Sequence, residues 1–218
     1  MAINIGIFTS FNGKGIADAQ REFKSLTTTS QKAGFILQKA LLPAAAAIGT
    51  ITQVIAPAIR AASDFEEATS KVNVIFGRAS KSVKDFANTA AKELGQSKQS
   101  VLDAAGAFGT FGKAAGLAGE DLSTFTTDFV TLSTDLASFN NTTPEEAVQA
   151  IGAALRGEAE PLRRFGVLLN DATLKAEAMK LGIYDGSGAL TAQQKILAAQ
   201  SAIYKQTGDA QGDFARTA

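Results

Sequence analysis

The sequence predicts an all-α chain: a helical bundle or an extended array of amphipathic helices, preceded by a short extended N-terminus. Three observations carry this. Apolar residues recur at spacings of three and four along most of the chain, the period of a helix face. Capping residues and glycines mark helix starts and stops at helix-length intervals. Strand-like alternation is confined to residues 2–9, where Ile3, Ile5 and Ile7 alternate.

The elements follow in order. Residues 2–9 read as a short strand, and Asn12 with Gly13 as a turn. Ile16, Ala19, Phe23 and Leu26 then form a helical stripe flanked by Arg21, Glu22 and Lys24, fading into Thr27, Thr28, Thr29 and Ser30. The uncharged residues 40–59 read as an Ala-rich helix with Ile48, Ile51, Ile55 and Ile59 on one face. Asp64 is expected to open a helix carrying Phe65, Ala68, Val72 and Ile75, stopped by Gly77. The next places Val83, Phe86, Ala87, Ala90 and Leu94 inward and stops at Gly95.

Ser97 is the expected cap of a helix through Phe108. The glycines at 109, 112, 116 and 119 then read as a flexible or closely packed connection. Residues 120–139 are the cleanest helix: Leu122, Phe125, Phe129, Leu132, Leu136 and Phe139 follow the seam spacing of a coiled coil. Asp121, Asp128 and Asp135 flank that seam with no basic complement, so it reads as an intrachain bundle seam, with self-association as the alternative. Thr143, Pro144 and Glu146 form a helix start with a capping box, and Thr191 with Gln194 repeats the device. Between them Gly157 stops one helix, Pro161 restarts the chain, Gly166 breaks it again, and Asn170 caps a helix ending at Leu181 and Gly182.

Composition bounds the chemistry. The 218 residues contain neither Cys nor His, which removes disulfides, thiolate nucleophiles, imidazole relays and Cys- or His-based metal sites. Basic and acidic residues number 21 each, so no global field steers the chain onto nucleic acid. Charge is nonetheless segregated. Residues 71–113 hold Lys71, Arg78, Lys81, Lys84, Lys92, Lys98 and Lys113 against Asp85, Glu93 and Asp103, whereas residues 114–155 hold six carboxylates and no base. The basic helices are therefore expected to lie along Asp121, Asp128 and Asp135.

No catalytic, cofactor-binding or metal-binding residue is predicted, and no cofactor. Glu66 with Glu67 and Glu145 with Glu146 are adjacent on helices and diverge by about 100°. Glu158 and Glu160 stand beside Arg156, Arg163 and Arg164, where local ion pairs are expected rather than a hydrolytic dyad. FGTFGKAAGLAG lacks the G-K-[ST] ending of a phosphate loop, leaving Lys113 a weak candidate. Arg163 and Arg164 are too few, beside two glutamates, to grip DNA phosphates.

The run ALRGEAEPLRRFGVLLNDATLKAEAMKLGI at residues 154–183 resembles a signature of tape measure proteins of tailed bacteriophages and related prophages. FEEATSKVNVIFGRAS (65–80), TTPEEAVQAIGAALRG (142–157) and TAQQKILAAQSAIYKQTGDAQGDFARTA (191–218) resemble the same family in the same order. The likeness runs from about residue 62, dividing the chain into 1–61, an N-terminal strand and turn with helices, and 62–218, a helical tape-measure-like region. It implies the N-terminal part of a non-enzymatic virion protein, one that sets tail length during assembly and leaves ahead of the DNA at infection. The implied partners are tail-tube proteins and tail assembly chaperones, with no specific nucleic-acid binding. The implied location is the tail lumen, and the host cytoplasm during assembly. The alternative is a membrane-active helical module inserting through residues 40–59, long enough to span but carrying Pro43, Pro57, Gly49 and Gln53.

Overall fold

The computed structural model describes residues 48–217, and every described element is helical. The expected strand at 2–9, the turn at Asn12 and Gly13, the stripe from Ile16 and residues 40–47 lie outside the described residues. The chain divides into two units, Met1–Glu66 and Glu67–Ala218. The all-α class holds, with eight α-helices and two 3-10 turns among the described residues: α1 (Ile48–Phe76), α2 (Ser80–Glu93), α3 (Lys98–Ala114), α4 (Gly119–Phe139), α5 (Pro144–Arg156), α6 (Asp171–Lys180), α7 (Ala192–Gln206) and α8 (Asp213–Thr217). The 3-10 turns are Gly77–Ala79 and Glu160–Phe165. Among the described residues no helix is long and apolar enough to cross a membrane.

Asp64 does not open a helix. It lies inside α1, because Arg60, Ala61, Ala62 and Ser63 offer no breaker and an N-cap residue acts only where the chain has turned. Helix α3 likewise runs past Phe108 to Ala114, absorbing two of the glycines expected in a connection. Their role is close approach. A Cβ at Gly109 would lie 2.4 Å from Phe76 Cζ and 2.9 Å from Ile75 Cγ2, and one at Gly112 would lie 2.5 Å from Leu122 Cδ1. The end of α1 and the start of α4 therefore rest directly on the backbone of α3, which outweighs the helix-propensity cost of glycine.

Helix α4 is the centre of the Glu67–Ala218 unit, touching α2, α3, α5 and α8. Leu122, Phe125, Phe129, Leu132 and Leu136 are buried as the seam predicts, so this chain's own helices fill it. Burial extends well beyond one seam, to Ser123, Thr126, Val130, Ser133, Thr134 and Asp135, whereas Phe139 at the end is 54% exposed. The buried hydroxyls remain satisfied by turning back on the helix: Thr126 Oγ1 donates to Leu122 O at 2.8 Å and Ser133 Oγ to Phe129 O at 2.7 Å. Phe129 stacks on Phe108 at 5.2 Å, meets Phe125 edge-on at 5.0 Å and reaches Tyr204 at 5.5 Å, joining α3, α4 and α7.

Helix ends obey local rules. Thr143, Asn170, Thr191 and Ser97 each accept the expected N-cap hydrogen bond. Thr191 and Gln194 complete their capping box, but at Thr143 only half forms, since the Glu146 carboxylate is drawn to Arg164 instead. Helices α3, α4, α5 and α6 all close with the paired six-to-one and five-to-two bonds of a left-handed cap, at Gly116, Asn141, Gly157 and Gly182.

Candidate functional site

Among the described residues no set of three or more carboxylates converges as a metal site requires. The first surface to consider is the corner between α5 and α6. Gly157, at φ +102°, ends α5, and Pro161 sets the first turn of the 3-10 segment. That segment drives Leu162 and Phe165 inward, followed by Val167, so the corner is plugged by three apolar side chains. Gln206 of α7 then brackets the backbone of Leu168, accepting from its N–H at 2.9 Å and donating to its carbonyl at 3.2 Å.

The charged residues of the corner pair off. Arg163 meets Glu160 at 2.8 Å and Arg156 meets Glu158 at 3.3 Å, the local ion pairs expected from their spacing. Arg164 reaches across the chain to Glu146 at 2.5 Å, donates to Thr142 Oγ1 at 2.7 Å, and lies 4.8 Å over the Phe165 ring. The Thr142 hydroxyl and the Arg164 guanidinium hold the Glu146 carboxyl below its usual range. All three arginines are thus engaged with carboxylates. Beside them lies an open groove of about 690 Å3 lined by Phe111, Gln149, Ala153, Arg156, Pro161 and Arg164.

The second surface lies on α6 and α7. Glu177 is buried, and its carboxylate accepts from Lys180 at 2.9 Å, Lys205 at 3.1 Å and Ser201 at 3.2 Å. Lys180 and Lys205 hold its carboxyl down at about 2. Nothing in the local sequence singles out Glu177, because two of its three partners stand 24 and 28 residues away.

The remaining sequence candidates are dispersed. Lys113 is exposed at the last turn of α3, and Glu145 is exposed in the first turn of α5. The basic helices α2 and α3 do pack against α4, but they form no ion pair with Asp121, Asp128 or Asp135 among the described residues. Asp135 instead caps the start of α8, accepting from Gly212 N at 2.8 Å and Phe214 N at 3.2 Å. Set against known proteins, the chain matches no family model, no curated protein and no solved structure.

Proposed function

We propose that this chain is a segment of a tail tape measure protein of a tailed bacteriophage or prophage, a structural component that sets tail length and exits ahead of the genome. The carrying observation is the order of four unusual runs, at 65–80, 142–157, 154–183 and 191–218, which together resemble that family. The composition is compatible with a non-enzymatic role, since the chain has neither Cys nor His. Its partners on this reading are tail-tube proteins and assembly chaperones, met in the host cytoplasm and then in the tail lumen.

A helix advances about 1.5 Å per residue, so a continuous rod of 150 residues would extend about 225 Å, whereas a bundle built around α4 extends roughly the 30 Å of one helix. The Glu67–Ala218 unit therefore serves as a compact docking end, and the metering falls to extended helical parts of the same polypeptide. In a phage carrying this gene, in-frame removal of extended helical segments shortens the tail by about 1.5 Å per deleted residue, measured on electron micrographs. Tails of unchanged length would overturn the reading.

A further inference from the structure

Helix α8 cannot stand by its own means. It has five residues, far fewer than an isolated helix needs, and none of them is buried. Its helical form therefore comes from what it rests on, the C-terminal half of α4 and the turn between α2 and α3. The contacts are few. The buried Asp135 carboxylate accepts from the Gly212 amide on one oxygen and from the Phe214 amide on the other. Ser138 Oγ donates to Asp213 at 2.8 Å and lies 3.0 Å from Thr217 Oγ1. The half-buried Phe214 ring covers Gly95 so closely that a Cβ there would lie 2.9 Å from Phe214 Cζ. At the surface Arg216 donates to the carbonyls of Gln211 at 2.8 Å and Asp209 at 3.1 Å, where water can take its place. The seat beneath is fixed without α8. The Gln96 side chain donates to the buried Thr134 hydroxyl, tying the α2–α3 turn to α4, and Gln96 N donates to Ala90 O at 3.3 Å. On the other side the turn after α7 is anchored by Thr207, which donates to Ile203 O at 2.8 Å, and by buried Ala210. Gly212, exposed and at φ +75°, is the joint between that turn and α8.

We propose that residues 212–217 are a detachable strap, latched by Asp135, that lifts off α4 at Gly212 while the rest of the Glu67–Ala218 unit stays folded. Lifting removes the Phe214 ring from Gly95 and bares the α2–α3 turn, so the strap decides when that face is accessible. The charge-assisted bonds to Asp135 keep the closed state favoured, because lifting strips a buried carboxylate of its donors. Little else opposes opening: one half-buried ring and a few hydroxyl contacts stand against the chain entropy recovered, the balance that marks a locally opening segment. The proposal is independent of the tape measure reading, since it rests on the contacts of α8 alone.

The test is amide hydrogen exchange of the full chain at rising urea, kept below the unfolding transition. The Gly212 and Phe214 amides are expected to be protected, yet to exchange through an opening that hardly changes with urea and is at least about tenfold more frequent than global unfolding. The amides of Leu132 and Leu136 in α4 should follow global unfolding. Phe214→Ala takes the ring off Gly95 and should quicken exchange at 212 and 214 by about tenfold, with Leu136 keeping its urea dependence. Asp135→Asn turns an acceptor oxygen into an NH2 facing a strap amide and should quicken the same two positions at least as much. No protection at 212 and 214, exchange there with the urea dependence of Leu136, or unaltered exchange there in Phe214→Ala would overturn the proposal, whether or not Asp135→Asn folds.

Discussion

Two helix pairs within the Glu67–Ala218 unit are held by opposite means. Helices α3 and α4 meet through shape: glycines admit neighbouring side chains to the α3 backbone, and Phe108, Phe125 and Phe129 fill the space between. Helices α6 and α7 meet through charge and caps. The ten-residue α6 buries only Glu177 and Ala178, too little apolar surface to hold a short helix in place. A small cluster of Ala178, Leu190 and Ala198 is therefore supplemented by Glu177 with its two lysines and by Gln194, which closes the capping box and donates to Ile183 O at 2.5 Å. The difference teaches where each pair is vulnerable. The first pair cannot accept added volume at its glycines, whereas the second depends on the ionisation of Glu177.

Three substitutions sharpen that contrast. The largest effect is expected from Gly109→Val, whose side chain would overlap Phe76 and Ile75. It should lower stability by about 1–3 kcal/mol or more, read from urea midpoints, with the same loss at pH 7 and pH 4. Equal stability to the parent would mean that the α3 backbone is not a packing surface. Glu177→Gln comes next. The Glu177 carboxyl lies at about 2 in the folded chain, below its ordinary 4.5, so its stabilisation is complete above about pH 4.5 and declines as pH falls toward 2. The variant should melt lower at pH 7 and lose that acid-side decline, which Gly109→Val should retain. A Gln variant that still weakens between pH 4.5 and 2 as steeply as the parent would place the pH dependence elsewhere. The smallest effect is that of Thr191→Ala, about 1 kcal/mol from loss of the α7 cap. It should be the same at pH 7 and pH 3, and amide exchange should quicken first at Gln194.

The corner at residues 154–183 was legible because its signals are local. Gly157, Pro161, Gly166, Asn170 and Gly182 each act on backbone within four residues, and each takes its expected conformation. The α4 seam was legible for the same reason, since periodicity reports a face. How many faces are covered is not a local matter, and α4 proved buried all round from Leu132 to Ala137 while Glu120, Asp121, Thr124 and Asp128 stay exposed. The charge segregation foretold which helices adjoin α4 but not which groups pair, because a carboxylate is drawn to whatever donor the fold brings near. Asp135 found the amides of α8, and Glu146 found Arg164.

Helix identity, most helix ends and the lack of Cys and His chemistry belong to the sequence alone, for caps, turns and reactive groups are properties of a few neighbouring residues. Tertiary structure decided which glycines are seats for other helices and which carboxylate is buried between two lysines. Those outcomes depend on groups far apart in the chain, brought together only when burial of apolar surface packs the helices.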